Sequence, residues 1–229
     1  MSVLRSSVLI AVITGATTLN SIAAPVGTVR WPDTVPSRLE AFALIQSLQN
    51  DLLSNESATL TLDRWCETHH LGDPPEIIVE RIPDQVKQAG DEERKILEVG
   101  IYDVVKYRRV KLRCGDRVLS EADNWYVPDR LTPEMNEKLD HSDMPFGRVV
   151  CALNFHRKTL QARLLWNPLP SDWELKGALP SDRSGSGYLD IPPYLFQHRA
   201  VLTLAGGVPF SYVVETYTNS VLDFPAPSD

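Results

Sequence analysis

The chain has 229 residues and 43% hydrophobic content, enough for one domain with a real core and too apolar for wholesale disorder. Its net charge of −7 argues against a nucleic-acid surface, which needs a basic face. The first 23 residues have the layout of a secretory signal peptide: a lone Arg5, a small and apolar stretch, then Ser21-Ile-Ala-Ala24 ahead of Pro25. Cleavage after Ala23 gives a mature chain of residues 24–229, exported to the periplasm or secreted, with no stable membrane insertion once the signal is removed.

Ser37 reads as an N-cap with Glu40 as its capping-box partner. The run Leu39, Phe42, Ala43, Ile45, Leu48, Leu52 and Leu53 fits a helical stripe. Thr59 to His69 reads as a second short helix presenting Leu60, Leu62, Trp65 and Cys66. After the break at Gly72-Asp-Pro-Pro75, Glu76 to Ile82 reads as a strand, and Asp91 to Leu97 as a charged helical turn. Two long β-type runs follow, Tyr102 to Cys114 and Val118 to Val127, joined by a turn at Gly115-Asp-Arg117. Thr132 with Pro133 is a good helix start. Met144 to Gly147 is a tight corner, Val149 to Phe155 is apolar and ambiguous, and Thr159 to Trp166 reads as a strand.

Residues 167–193 are irregular and proline-rich, a loop long enough to serve a function. Two β-rich runs then flank Ala205-Gly-Gly207, which reads as a hairpin turn. Helices come first, then strands joined mostly by hairpins. That order suggests a single α+β domain: an antiparallel sheet of about six strands with helices packed on it.

Two residues stand out on these strands. Strand alternation puts Arg108 on the face of Val110, Leu112 and Cys114, and puts Arg109, Lys111 and Arg113 on the other. An arginine on an apolar face needs a buried anion or a path to water. Glu215 sits among Val213, Val214 and Tyr217, and a lone acid there is costly unless it is paired, protonated or solvated. The two could form an internal ion pair with each other, or they could serve a ligand. The three cysteines, Cys66, Cys114 and Cys151, lie in apolar neighbourhoods and read as buried small hydrophobes, with one disulfide at most. Asp63, Cys66, His69 and His70 match no recognised metal spacing, so no metal is expected.

The chain resembles the chorismate lyase family. The resembling stretches are Tyr107-Arg-Arg-Val-Lys-Leu112, Ala122-Asp-Asn-Trp-Tyr-Val-Pro128, Met144-Pro-Phe-Gly-Arg148, and Leu202-Thr-Leu-Ala-Gly206 followed by Val213-Val-Glu-Thr-Tyr217. The resemblance implies elimination of pyruvate from chorismate to give a hydroxybenzoate, without metal or cofactor. It puts the ring carboxylate on Arg108, with Arg109 as the alternative. It puts Glu215 at the ligand's hydroxyl end as the catalytic residue, and the ligand-bordering corner on Phe146 and Gly147, with Phe where Leu is usual. The second carboxylate of chorismate has Arg148 and Arg199 as its nearest candidates. Residues 167–193 exceed the family's usual length and suggest a lid. Export away from the chorismate pool favours an alternative, a non-catalytic binding module for a small aromatic carboxylate. A purely structural domain is the third reading.

Overall fold

The computed structural model describes residues 29–83, 85–175 and 186–227. The expected signal peptide, residues 1–23, lies outside them. Among the described residues no helix is long and apolar enough to cross a membrane.

The helices α1 (Val35–Ser54) and α2 (Ala58–Thr68) come first, followed by strand β1 (Ile77–Arg81) and helix α3 (Asp91–Leu97). Strands β2 (Lys106–Cys114) and β3 (Arg117–Tyr126) form the first hairpin. Helices α4 (Pro133–His141) and α5 (Phe146–Val149) then lead to strands β4 (His156–Leu164), β5 (Tyr194–Thr203) and β6 (Pro209–Thr218). The six strands make one antiparallel sheet in the order β1-β2-β3-β6-β5-β4. The chain is a single α+β domain of the expected class.

Local chemistry explains most element boundaries. The Thr34 hydroxyl accepts the Ser37 amide at 3.2 Å, so α1 starts ahead of the expected Ser37 cap. Pro36, with its φ preset for a helix and no amide to satisfy, suits that first turn. Ser57 caps α2 and Thr132 caps α4, the latter as the sequence suggests. The β5–β6 turn runs through Gly206 and Gly207 at φ 95° and 85°, a region that L side chains rarely adopt.

One face of the sheet carries Val110, Leu112, Ala122, Ala200, Val213 and Tyr217. They join Ile45, Leu48, Leu52, Leu62 and Trp65 of α1 and α2 in the main core. The opposite face holds a smaller cluster of Leu97, Trp125, Val127 and Tyr212. At the far end of the covered face a third cluster joins Leu139, Val149, Val150, Phe155, Leu202 and Phe210. Between it and the main core the packing leaves a gap, and the site lies there.

One expectation needs correction. Cys66 and Cys114 form a disulfide from α2 to the end of β2, and Cys151 is exposed, so none of the three is a plain core thiol. Of the lid expected over residues 167–193, residues 176–185 lie outside the described residues. The described flanks pack on the beginning of the domain. Arg38 grips Asp33 at 2.7 and 2.8 Å and donates to the Pro168 carbonyl at 2.6 Å. The Leu189 amide bonds the Trp31 carbonyl at 2.9 Å.

Candidate functional site

Strand register assembles the site. Arg108 on β2 faces Asn124 on β3, which faces Val213 on β6; Glu215 lies two residues along β6 on the same face. Two strand spacings across and two residues along separate the Arg108 and Glu215 backbones by roughly 12 Å. Both side chains line one pocket, together with Val110, Ala122, Asn124, Ser211 and Val213 from the sheet floor. Phe146 and Gly147 of α5, Phe155, Leu202 and Arg157 line it as well, and so do Glu56, Ser57, Ala58 and Thr59 at the start of α2, which adjoin Gly147 and Arg157. The cavity holds about 60 Å³, several times what one water needs. Its lining is mostly apolar, with the polar groups at two separate ends.

The Arg108 end is cationic and under-satisfied. Arg108 is 6% exposed. Its Nη2 donates to the Met144 carbonyl at 3.2 Å and, at the limit of bonding, to the Ser142 carbonyl at 3.5 Å. Nε and Nη1 are buried and have no partner among the described residues. Among the described residues no carboxylate comes within ion-pair distance, and Asp143 and Asp140 act on it only from further away. Burial, and then the like charge of Arg81, pull the guanidinium pKa down to about 10, so it stays charged at neutral pH.

The Glu215 end is different. Its carboxylate is tied to Arg157 of β4 through Oε2, which also accepts the Tyr217 hydroxyl at 3.3 Å. The Arg157 and Glu215 side chains are 5% and 8% exposed. Glu56 at the rim accepts the Arg157 backbone amide. The pairing suggested between Arg108 and Glu215 therefore does not form; Arg157 takes that place. Glu215 lines the pocket, and its Oε1 makes no hydrogen bond among the described residues.

Arg109 points to the other face, where it pairs with Glu121 at 2.9 Å and Asp123 at 3.0 Å, and it does not line the pocket. Period-two alternation dictates that outcome. Arg148 is consumed by Asp63 and Glu76, both at 2.8 Å, and Arg199 reaches Glu92 at 3.3 Å on the opposite face. Neither lines the pocket. Arg157 escapes the sequence reading because that reading starts the strand at Thr159, whereas β4 starts at His156. Extending the alternation of Thr159 back by two residues would have found it.

His198 lies beneath the site. It is opposite Glu215 in register, packed against Tyr217 and Phe196, and neither ring nitrogen has a partner among the described residues. Burial pushes its pKa down to about 4. The folded state therefore holds it neutral where the unfolded chain binds a proton. Stability is full above the unfolded value near 6.5 and falls as pH drops toward 4. Between pH 7 and 5 the protein should lose about 2 kcal/mol from this residue. Urea unfolding of His198→Phe should show a flatter pH dependence in that window; an unchanged slope would contradict the assignment.

The fold and the pocket define a single-domain α+β protein with a half-enclosed pocket on the helix-covered face of its sheet. Its sequence is 56% identical over 199 residues, 86% of this chain and 83% of the other, to the uncharacterized protein y4mC of Sinorhizobium fredii (strain NBRC 101917 / NGR234). The chain belongs to the same family as that protein. No family model matches it. Among solved structures it is similar to the effector domain of PhnF from Mycobacterium smegmatis (13% identity, TM-score 0.42, 63% of this chain and 82% of that one). It is also similar to a GntR-family transcriptional regulator from Enterococcus faecalis V583 (15%, 0.40, 64% and 96%). A third likeness is to the possible transcriptional regulator YydK of Bacillus subtilis (16%, 0.37, 62% of this chain); the match spans 58% of that chain. Likeness at these scores leaves function to be read from the pocket.

Proposed function

We propose that the pocket binds a small aromatic carboxylate of the hydroxybenzoate type, its carboxylate on Arg108 and its hydroxyl on Glu215. The observation that carries this reading is Arg108, a buried guanidinium with two unpartnered nitrogens and no ion-pair partner among the described residues. A buried charge without a counter-ion costs several kcal/mol, and an anionic ligand removes that cost. Phe146, Phe155, Leu202 and Val213 offer apolar walls for one ring. Glu215, lining the same pocket, would accept the ligand's hydroxyl.

Charge accounting favours binding over turnover. Arg157 is already neutralised by Glu215, so one cation, Arg108, is left for one carboxylate. Glu215 Oε2 is also engaged by two donors, Arg157 and the Tyr217 hydroxyl. Calorimetry with para-hydroxybenzoate tests the reading. Arg108→Met should weaken binding by about 100-fold, the loss typical of one partner of a buried charge pair. Binding equal to the wild type would overturn it.

A second reading is chorismate lyase activity. Besides the resemblance, one observation favours it: Arg157 Nε is buried without a partner among the described residues and could take a second carboxylate. In that reaction the ether C–O bond breaks, the ring gives up a proton and becomes aromatic, and the departing enolpyruvyl group takes up a proton to become pyruvate. The pocket would supply orientation, with Glu215 assisting the proton transfer. Incubation with chorismate should release pyruvate above the Glu215→Gln background; release no faster than that background removes this reading. The disulfide supports the proposed export, since such bonds persist in oxidising compartments.

A further inference from the structure

We propose that Asn124 is a second carboxylate-binding residue of this pocket and that Ser211 sets its orientation; the inference rests on the aromatic-carboxylate reading above. Arg108 and Asn124 are direct partners across β2 and β3 on the pocket face. Their Cβ atoms are therefore about 5 Å apart. Asn124 is 5% exposed, yet it sits on an otherwise apolar floor between Val110, Ala122 and Val213. A buried amide there needs partners at both ends.

Only one end has its partner among the described residues. Ser211, fully buried on β6, donates its hydroxyl to Asn124 Oδ1 at 2.6 Å. That bond occupies the acceptor and turns the NH₂ away from Ser211. Nδ2 makes no hydrogen bond among the described residues. Arg108, its register partner, has Nε and Nη1 without partners as well. Two neighbouring residues of the pocket lining therefore carry three donor groups without an acceptor among the described residues. A carboxylate, which only accepts and has about four lone-pair sites, complements that set. A carboxamide in the same place would point its own NH₂ at donors. The site selects a carboxylate for its charge through Arg108, and for its acceptor-only character through Asn124.

Calorimetry with para-hydroxybenzoate and para-hydroxybenzamide on the wild type, Arg108→Met, Asn124→Asp and Ser211→Ala tests this. The wild type should prefer the acid by at least about 30-fold. Asn124→Asp exchanges the donor for a second carboxylate and should weaken acid binding by about 30-fold or more. Ser211→Ala frees the amide to turn over, so it should shrink the acid-to-amide preference by about fivefold or more while the domain stays folded. Acid binding that depends on Arg108 but is within about threefold of wild type in Asn124→Asp, or an unchanged preference in Ser211→Ala, overturns the role of Asn124 alone. If the wild type binds no acid, or Arg108→Met binds it equally well, the underlying reading falls and this inference with it.

Discussion

Arg157→Met is expected to destabilise the domain by about 3–5 kcal/mol, because it strands the Glu215 carboxylate in the interior. The two side chains are 5% and 8% exposed, and after the substitution only the Tyr217 hydroxyl would remain against Glu215 Oε2. For a domain of this size that is a fall in Tm of roughly 10 °C. The matching double variant, Arg157→Met with Glu215→Leu, should recover to within about 1 kcal/mol of the wild type or exceed it, since removing both charges also removes both desolvation costs. Urea unfolding of the wild type, the two single variants and the double variant gives the cycle. A double variant no more stable than the worse single would show that the pair does more than neutralise itself. Binding separates the roles further. The double variant should retain Arg108-dependent affinity for an aromatic acid and lose affinity mainly for its hydroxylated forms, because the hydroxyl acceptor is gone.

How much of this was legible in the sequence depended on whether a position was set by local periodicity or by partners far along the chain. The alternation of Arg108 with Val110, Leu112 and Cys114 fixed its face, and the Gly206-Gly207 turn fixed the closing hairpin. The helix starts at Thr132 and the span of α3 follow from capping and composition alone. What failed was long-range. Arg157 and Glu215 are 58 residues apart; alternation extended back from Thr159 gives the arginine its face, but its pairing with Glu215 depends on how β4, β5 and β6 align. Asn124 lies within a stretch the sequence singles out, but its role depends on Ser211, 87 residues away. Cys66 and Cys114 lie in apolar runs that look alike for a thiol and for half a disulfide; only the packing of α2 beside the end of β2 distinguishes them. Composition also could not show that the described part of residues 167–193 would seat itself on Trp31 and Arg38 rather than over the pocket.

Removing the Cys66–Cys114 bridge is the second large effect expected. The two cysteines are 48 residues apart, so opening the bridge returns about 4 kcal/mol of loop entropy to the unfolded chain. The native side leaves little room to compensate. A Cβ added at Gly72 would lie 2.8 Å from Cys114 Sγ, so the turn after α2 already closes directly onto the bridge. The same bridge pins α2 to the sheet, and the start of α2 supplies Ser57, Ala58 and Thr59 to the pocket wall. Cys66→Ala with Cys114→Ala should therefore lower Tm by roughly 10 °C. It should also weaken aromatic-acid binding, because a wall held by packing alone samples more positions than one held covalently. Cys151→Ser, which alters only the exposed thiol, is the control and should match the wild type in both measurements. Thermal unfolding with and without reductant provides the check. Equal Tm values for the oxidised and reduced wild type would mean that the packing of Leu62, Trp65 and Leu112 alone holds α2 against the sheet.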